Sequence, residues 1–230
     1  ILDNRTFDVI VVDMLDTPVG SLQALRDHTR TIVTLDDRGP GRADADAIIN
    51  ILVREPDPKA LPAHVRLEEG PQYATLDPVY SQPVPLRATK KSGLHALVTL
   101  GGADTSGLSL KVIRSLRGVN GIASVSVVCG IGSAWYDELQ AVAAGAPWQL
   151  RAHRQVPALR DLFLEADIAF VAGGLTMHEA CCTGTPSIAV CQAIDHQAEL
   201  AAWFAAHGAM ATVGDGSRVE ECLITETAQR

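Results

Sequence analysis

The run Asp167-Ile168-Ala169-Phe170-Val171 passes directly into Ala172-Gly173-Gly174 and then into the helical stretch Leu175-Thr176-Met177-His178-Glu179-Ala180. An unbroken apolar, β-branched run is what a strand buried on both faces requires. Such strands belong to parallel sheets covered by helices. A strand that turns into helix through two glycines therefore fixes one βα unit. The turn also has a chemical use. Glycine lets backbone N–H groups come close to a phosphate, and a helix N-terminus offers free donors and partial positive charge. Glu179, one turn in, is placed to accept hydrogen bonds from a ribose diol.

Each part has a second reading. Thr176-x-x-Glu179 also fits a capping box, in which both side chains only satisfy the first helical turn. His178-Glu179 opens like the zinc motif H-E-x-x-H, but Cys182 stands where its second histidine belongs, so no metal is expected.

Apolar runs and helical patterns alternate along the whole chain, as βαβ units do. In the first part, strands are expected at Asp8–Val12, Thr31–Leu35 and Ala47–Leu52, with a helix over Ser21–Arg30. From Ser81 to Gly93 the sequence is proline-containing, basic and without period, the mark of a linker. Strands then follow at Leu94–Leu100, Ser124–Cys129, Trp148–His153, Thr185–Val190 and Met210–Val213. Helices are expected at Leu108–Leu116, Tyr136–Ala143, Val156–Leu164 and Gln197–His207. The division is a first Rossmann-like lobe over 1–85, a linker over 86–93 and a second lobe over 94–230. In such sheets ligands sit beyond the carboxyl ends of the strands, so Gly101-Gly102 and Gly173-Gly174 are expected to face a cleft between the lobes. Neither is G-x-G-x-x-G, which gives a dinucleotide cofactor little support.

A chain of 230 residues with net charge −8 and 47% hydrophobic residues can bury a substantial core and offers no basic face for nucleic acid. No apolar run reaches the ~18 residues that span a bilayer. The five cysteines show no C-x-x-C spacing, so neither a zinc site nor a disulfide framework is indicated. Cys129 and Cys191 end strand-like runs and read as small buried apolar residues in a reducing cytoplasm. Asp13, Asp36 and Asp37 end strands, where carboxylates serve either catalysis or loop capping. Glu220, Glu221 and Glu226 read as a solvated tail. The chain opens abruptly on a buried strand, so further N-terminal material is expected, and a shortened lobe is expected to expose a sheet edge.

At this level the residues resemble a known family. Val98-Thr99-Leu100-Gly101-Gly102-Ala103-Asp104 is similar to the V-T-L-G-G-S/A-D turn of PseG/SpsG-type proteins. These are UDP-sugar hydrolases of pseudaminic-acid biosynthesis and related glycosyltransferases of surface-polysaccharide pathways, all with the GT-B fold. Ala172-Gly173-Gly174-x-Thr176-x-x-Glu179-x-x-x-x-Gly184-x-Pro186 resembles their nucleotide-binding segment, and Asp195-His196-Gln197 their [DE]-N-Q. Leu35-Asp36-Asp37, Asp44–Asn50 and Gly70-Pro71-x-Tyr73-Ala74-x-Leu76 resemble their first lobe.

The resemblance implies a GT-B-like α/β protein of two Rossmann-like lobes, the first cut short, with a UDP-sugar as substrate and no cofactor. It implies ribose on Glu179 and diphosphate at Gly173, Gly174 and Thr176, with Gly101 and Gly102 beside them. Asp195, His196 and Gln197 would line the phosphate or sugar side, and Tyr73 the sugar pocket from the first lobe. Two positions depart: His196 replaces an asparagine, and Asp77 stands where arginine is frequent. The family's catalytic histidine lies in a G-x-G-H-x-x-R loop, and none of the seven histidines here matches it. The chain is thus expected to bind nucleotide and turn over little. Both hydrolysis and transfer to an acceptor stay open at this stage, as does non-catalytic nucleotide-sugar binding.

Overall fold

A computed structural model describes residues 5–86, 93–102, 104, 106–130 and 134–229. They form two compact units, Ile1–Thr75 and Leu76–Arg230.

The first unit is a parallel sheet in chain order: β1 (Phe7–Asp13), β2 (Thr29–Leu35), β3 (Ala47–Asn50) and β4 (Arg66–Glu69). Among the described residues its connections hold only 3₁₀ turns. The helix expected over Ser21–Arg30 is reduced to the turn Gln23–Leu25, with i→i+3 bonds from Leu25 N–H to Leu22 O and from His28 N–H to Leu25 O. The β-branched Thr29-Arg30-Thr31 segment joins β1 instead, through Phe7↔Thr29 and Val9↔Thr31. The last residues of the expected helix are thereby drawn into the sheet. Leu22, Ile32 and Ala45 form a small core with Val12 and Leu25. β1 is an outer strand whose Phe7, Val9 and Val11 are 40, 48 and 57% exposed, so it is not the buried strand expected from its apolar run: it pairs on one side alone, with β2.

Asp36 and Asp37 are loop-capping residues. One Asp36 carboxylate oxygen accepts from the N–H groups of Ile51 and Leu52, both at 2.6 Å. Asp37 is buried and accepts from Thr17 N–H at 3.1 Å and Gly39 N–H at 2.8 Å.

The second unit has strands β5 (Leu94–Thr99), β6 (Ile122–Cys129), β7 (Gln149–Arg154), β8 (Ile168–Val171), β9 (Ser187–Cys191) and β10 (Ala211–Asp215). All pair in parallel, in the order β10-β9-β8-β5-β6-β7. Its helices are α1 (Leu108–Ser115), α2 (Tyr136–Ala143), α3 (Arg160–Glu165), α4 (Leu175–Cys182), α5 (Asp195–Ala206) and α6 (Glu221–Gln229). The core runs through β5, β6 and β8 and the inner face of α1, with Val98, Val127, Phe170 and Ile113 fully buried.

α6 corrects the reading of the tail. Glu226 is exposed and Glu221 half-buried, but Ile224 is fully buried. Thr225 Oγ1 also donates to Ser115 O at 2.9 Å, and Gln229 Nε2 to Gly118 O at 2.9 Å. The helix is thereby fastened to the end of α1. Of the expected linker 86–93, residues 87–92 lie outside the described residues, whereas Leu76–Leu86 pack with the second unit.

Candidate functional site

Counted from its own first strand, the second sheet has the order 3-2-1-4-5-6, and the direction of winding reverses between β5 and β8. The two glycine pairs leave the carboxyl ends of these two strands, and Ala172 N–H donates to Thr99 O at 3.3 Å, tying the turns together. The four glycines and Gly130 have different reasons for being glycine. Gly101 has φ +90°, where a side chain is strained. A Cβ on Gly130 would stand 1.8 Å from Gly102 O, and one on Gly173 would stand 2.5 Å from Gln197 Cβ. At Gly102 and Gly174 a Cβ would meet nothing within 4 Å. Packing asks for glycine at Gly130 and Gly173, while Gly102 and Gly174 open onto free space.

The two helix starts differ as well. At α1, Asp104 is buried at φ +38° and accepts from Leu108 N–H at 2.8 Å and Ser109 N–H at 2.9 Å. Gln192 Nε2 donates to the same carboxylate at 3.2 Å, and Trp135 Nε1 to Asp104 O at 2.8 Å. That helix start is already filled by an internal anion. Ala103 and Thr105 of this turn lie outside the described residues.

α4 is open at its start. Its N-cap is Gly174, with no side-chain cap. Among the described residues no acceptor takes the N–H groups of Gly173, Leu175 and Thr176. These donors and the helix dipole form a ready anion seat. The capping-box alternative falls here. Thr176 lies inside the helix, not at its cap, and its hydroxyl donates back to Ala172 O at 3.4 Å. A cavity of about 260 Å³ adjoins this start, lined by Gly101, Gly102, Gly130, Val156, Leu159 and Thr176.

Glu179 is on the same face as Thr176, three residues on. Burial holds its carboxyl above the usual glutamate range, against a lowering pull from Tyr80; the nearby Asp77 charge raises it further. Tyr80 comes from a 3₁₀ turn, Pro78–Ser81, that packs against α4. Its side chain is buried, and its hydroxyl faces the Glu179 carboxyl and the Leu159 backbone, completing a hydrogen bond with neither. Burial first, and Glu179 second, push this phenol well above its ordinary range. Arg160, also buried, donates to Pro83 O at 2.8 Å and Gln82 O at 3.4 Å, fastening the following residues. Neither Tyr80 nor Arg160 stands out in the sequence. The available signal for the turn was the Asp77-Pro78 pair, whose carboxylate accepts from Val79 N–H at 2.8 Å.

Asp195, His196 and Gln197 form the first turn of α5. Asp195 is exposed and His196 half-buried. Gln197 Oε1 accepts from Gln192 N–H at 3.1 Å, and its backbone packs on Gly173. Tyr73 lies in the first unit, in the turn Pro71–Tyr73, where its hydroxyl donates to Glu68; this bond raises the phenol's pKa.

No protein-family model matches this chain. It is 28% identical over 99% of its length to the spore coat polysaccharide biosynthesis protein SpsG of Bacillus subtilis, and covers 68% of that protein. The similarity to SpsG thus runs along almost the whole chain. An uncharacterised protein of Methanocaldococcus jannaschii is 22% identical over 80% of the chain, which spans 40% of that relative. Among solved structures, MurG of Acinetobacter baumannii superposes with a TM-score of 0.64 at 18% identity, covering 89% of this chain and 58% of MurG. The O-GlcNAc transferase of Thermobaculum terrenum gives a TM-score of 0.50 at 14% identity, over 97% of this chain and 45% of the transferase. The fold of the chain is therefore GT-B-like: α/β, with two sheets of parallel strands, as expected from the sequence. No helix among the described residues is long and apolar enough to cross a membrane.

Proposed function

We propose that the chain binds a nucleotide-sugar at the switch point of its second sheet and serves a UDP-sugar hydrolase of surface-polysaccharide synthesis. The observation that carries this reading is the start of α4, an uncapped helix end with free N–H groups, bordered by Gly174 and by a cavity. The diphosphate sits on the N–H groups of Gly173, Leu175 and Thr176. Glu179 accepts from the ribose hydroxyls one turn further, and the apolar walls Val156 and Leu159 take the base. In the reaction, the water oxygen bonds to the sugar C1. The bond from C1 to the diphosphate oxygen breaks, and UDP leaves with the electron pair. The dipole of α4 and its N–H donors stabilise that developing charge. The base that takes the water proton is not assigned to a residue of this chain.

A second reading, transfer to an acceptor hydroxyl, is favoured by the glycosyltransferase neighbours of the fold. The fold itself does not separate the two reactions. Calorimetric titration with UDP, with CMP and NAD as controls, tests the site. UDP-selective binding that disappears in Glu179→Ala is the expected result; binding that persists in that variant would overturn the ribose assignment. Free sugar among the products marks hydrolysis, and acceptor-linked sugar marks transfer.

A further inference from the structure

Tyr80 is the buried titratable group that this reading leaves without a task. Its turn, Pro78–Ser81, is held at both ends: Asp77 caps it at Val79 N–H, and Arg160 grips the carbonyls of Gln82 and Pro83 behind it. Between these anchors the phenol is pressed inward, 8% exposed, against α4. A buried hydroxyl that makes no hydrogen bond is uncommon in a folded protein and calls for an explanation. The group it faces is the carboxyl of Glu179, itself partly buried, and among the described residues the groups that act on it are Tyr80 and Asp77, neither of them a cation. A carboxylate out of water needs donors, and a phenol supplies one without adding a charge.

We infer that Tyr80 is a positioning residue for Glu179, donating its hydroxyl to one carboxylate oxygen so that the other is ionised and aimed at the ribose diol. The inference rests on the nucleotide reading for its final step, while the Tyr80–Glu179 pairing is argued from the packing of the Pro78–Ser81 turn on α4 and the buried, unpartnered Tyr80 hydroxyl. Among the described residues, three groups face the Glu179 carboxyl: the Tyr80 hydroxyl and the Asp77 carboxylate from the turn, and Cys182 from α4 itself. Only Tyr80 among them favours the ionised form, since Asp77 opposes it and Cys182 is a neutral thiol held protonated by burial.

Two measurements test this on the whole chain. The first follows the Glu179 carboxyl by carbon NMR through a pH titration of the wild type and Tyr80→Phe, without ligand. The midpoint is expected to move to higher pH in the variant, because the donor is lost while the ring still fills its place. An unchanged midpoint overturns the inference. The second follows UDP binding against pH. Tyr80→Phe is expected to bind about 10-fold more weakly near neutrality, the scale of one hydrogen bond to a charged group, with its acid limb displaced upward. Glu179→Gln, combined with Tyr80→Phe, is expected to abolish the difference. A uniform loss at every pH marks a merely structural Tyr80 and overturns the role. If neither protein binds nucleotide, the proposed function fails, and the carboxyl titration alone decides the pairing.

Discussion

Gly173 and Gln197 touch so closely that a single added methyl group has no room: a Cβ on Gly173 would lie 2.5 Å from Gln197 Cβ and 2.8 Å from Gln197 O. The next residue, Gly174, would accept the same methyl into open space at φ −146°. Adjacent alanine substitutions are therefore expected to behave oppositely. Gly173→Ala should lower stability by about 1–3 kcal/mol, as overpacking does, by pushing α5 from the turn. Gly174→Ala should leave the melting temperature nearly unchanged and weaken UDP binding at least about 10-fold, because its methyl group enters the phosphate seat. Thermal melts and calorimetry on the pair check this. A stable, fully binding Gly174→Ala would remove the phosphate from this turn.

These same turns show what could be read without a structure. Strand β8, its glycine pair and helix α4 follow from a continuous apolar run broken by Gly-Gly, and Tyr136–Ala143 falls at its expected bounds. Local pattern sufficed where each element buries a contiguous apolar face. It failed where tertiary pairing decided. β4 is the charged tetrapeptide Arg66-Leu67-Glu68-Glu69, a strand only because β3 offers it a parallel partner. α6 is hidden by its glutamates, since one fully buried residue, Ile224, and two hydrogen bonds dock it. Tyr80 was out of reach for another reason. Its meaning is a contact with Glu179 nearly a hundred positions away, and only the folded chain brings the two together.

Glu179 is expected to trade stability for binding. Its carboxyl is raised in the folded protein, mainly by burial, so the protonated form is favoured there relative to the unfolded chain. This stabilising contribution is full below the ordinary glutamate range and is lost as pH rises through the folded value. Glu179→Gln, which keeps the shape and never ionises, should melt higher than wild type at neutral pH and show no such advantage in mild acid. The same variant should bind UDP at least about 10-fold more weakly at neutral pH. Melting curves across pH read the first effect; an equal gain at every pH would show that ionisation is not its source.

Asp77 acts on Glu179 in the opposite sense to Tyr80. Its negative charge raises the Glu179 carboxyl, while its own oxygen caps Val79 N–H. Asp77→Asn keeps an acceptor for that N–H and deletes the charge. Glu179 should then ionise at lower pH, and the acid limb of UDP binding should move down, where Tyr80→Phe moves it up. The displacement should shrink with added salt, since Asp77 is exposed and screened. A limb that fails to move would mean that Asp77 does not reach the site.

Arg160 holds the segment that carries Tyr80. Its guanidinium is buried and donates to two backbone carbonyls, Pro83 O and Gln82 O. The carboxylate of Asp161 is 3.8 Å away and 89% exposed, too solvated to hold it. The bonds to the carbonyls are therefore what Arg160→Met removes, leaving those oxygens short of a donor. The expected cost is about 1–3 kcal/mol, concentrated in the turn. Hydrogen exchange should report it locally: the Tyr80 N–H, bonded to Asp77 O, and the Gln82 N–H, bonded to Val79 O, should exchange faster, while amides of β5 and β8 keep their protection. UDP binding should weaken in the same variant, because a loosened turn no longer presses Tyr80 onto Glu179. Faster exchange with undiminished binding would separate the turn from the site and leave Arg160 a purely structural anchor.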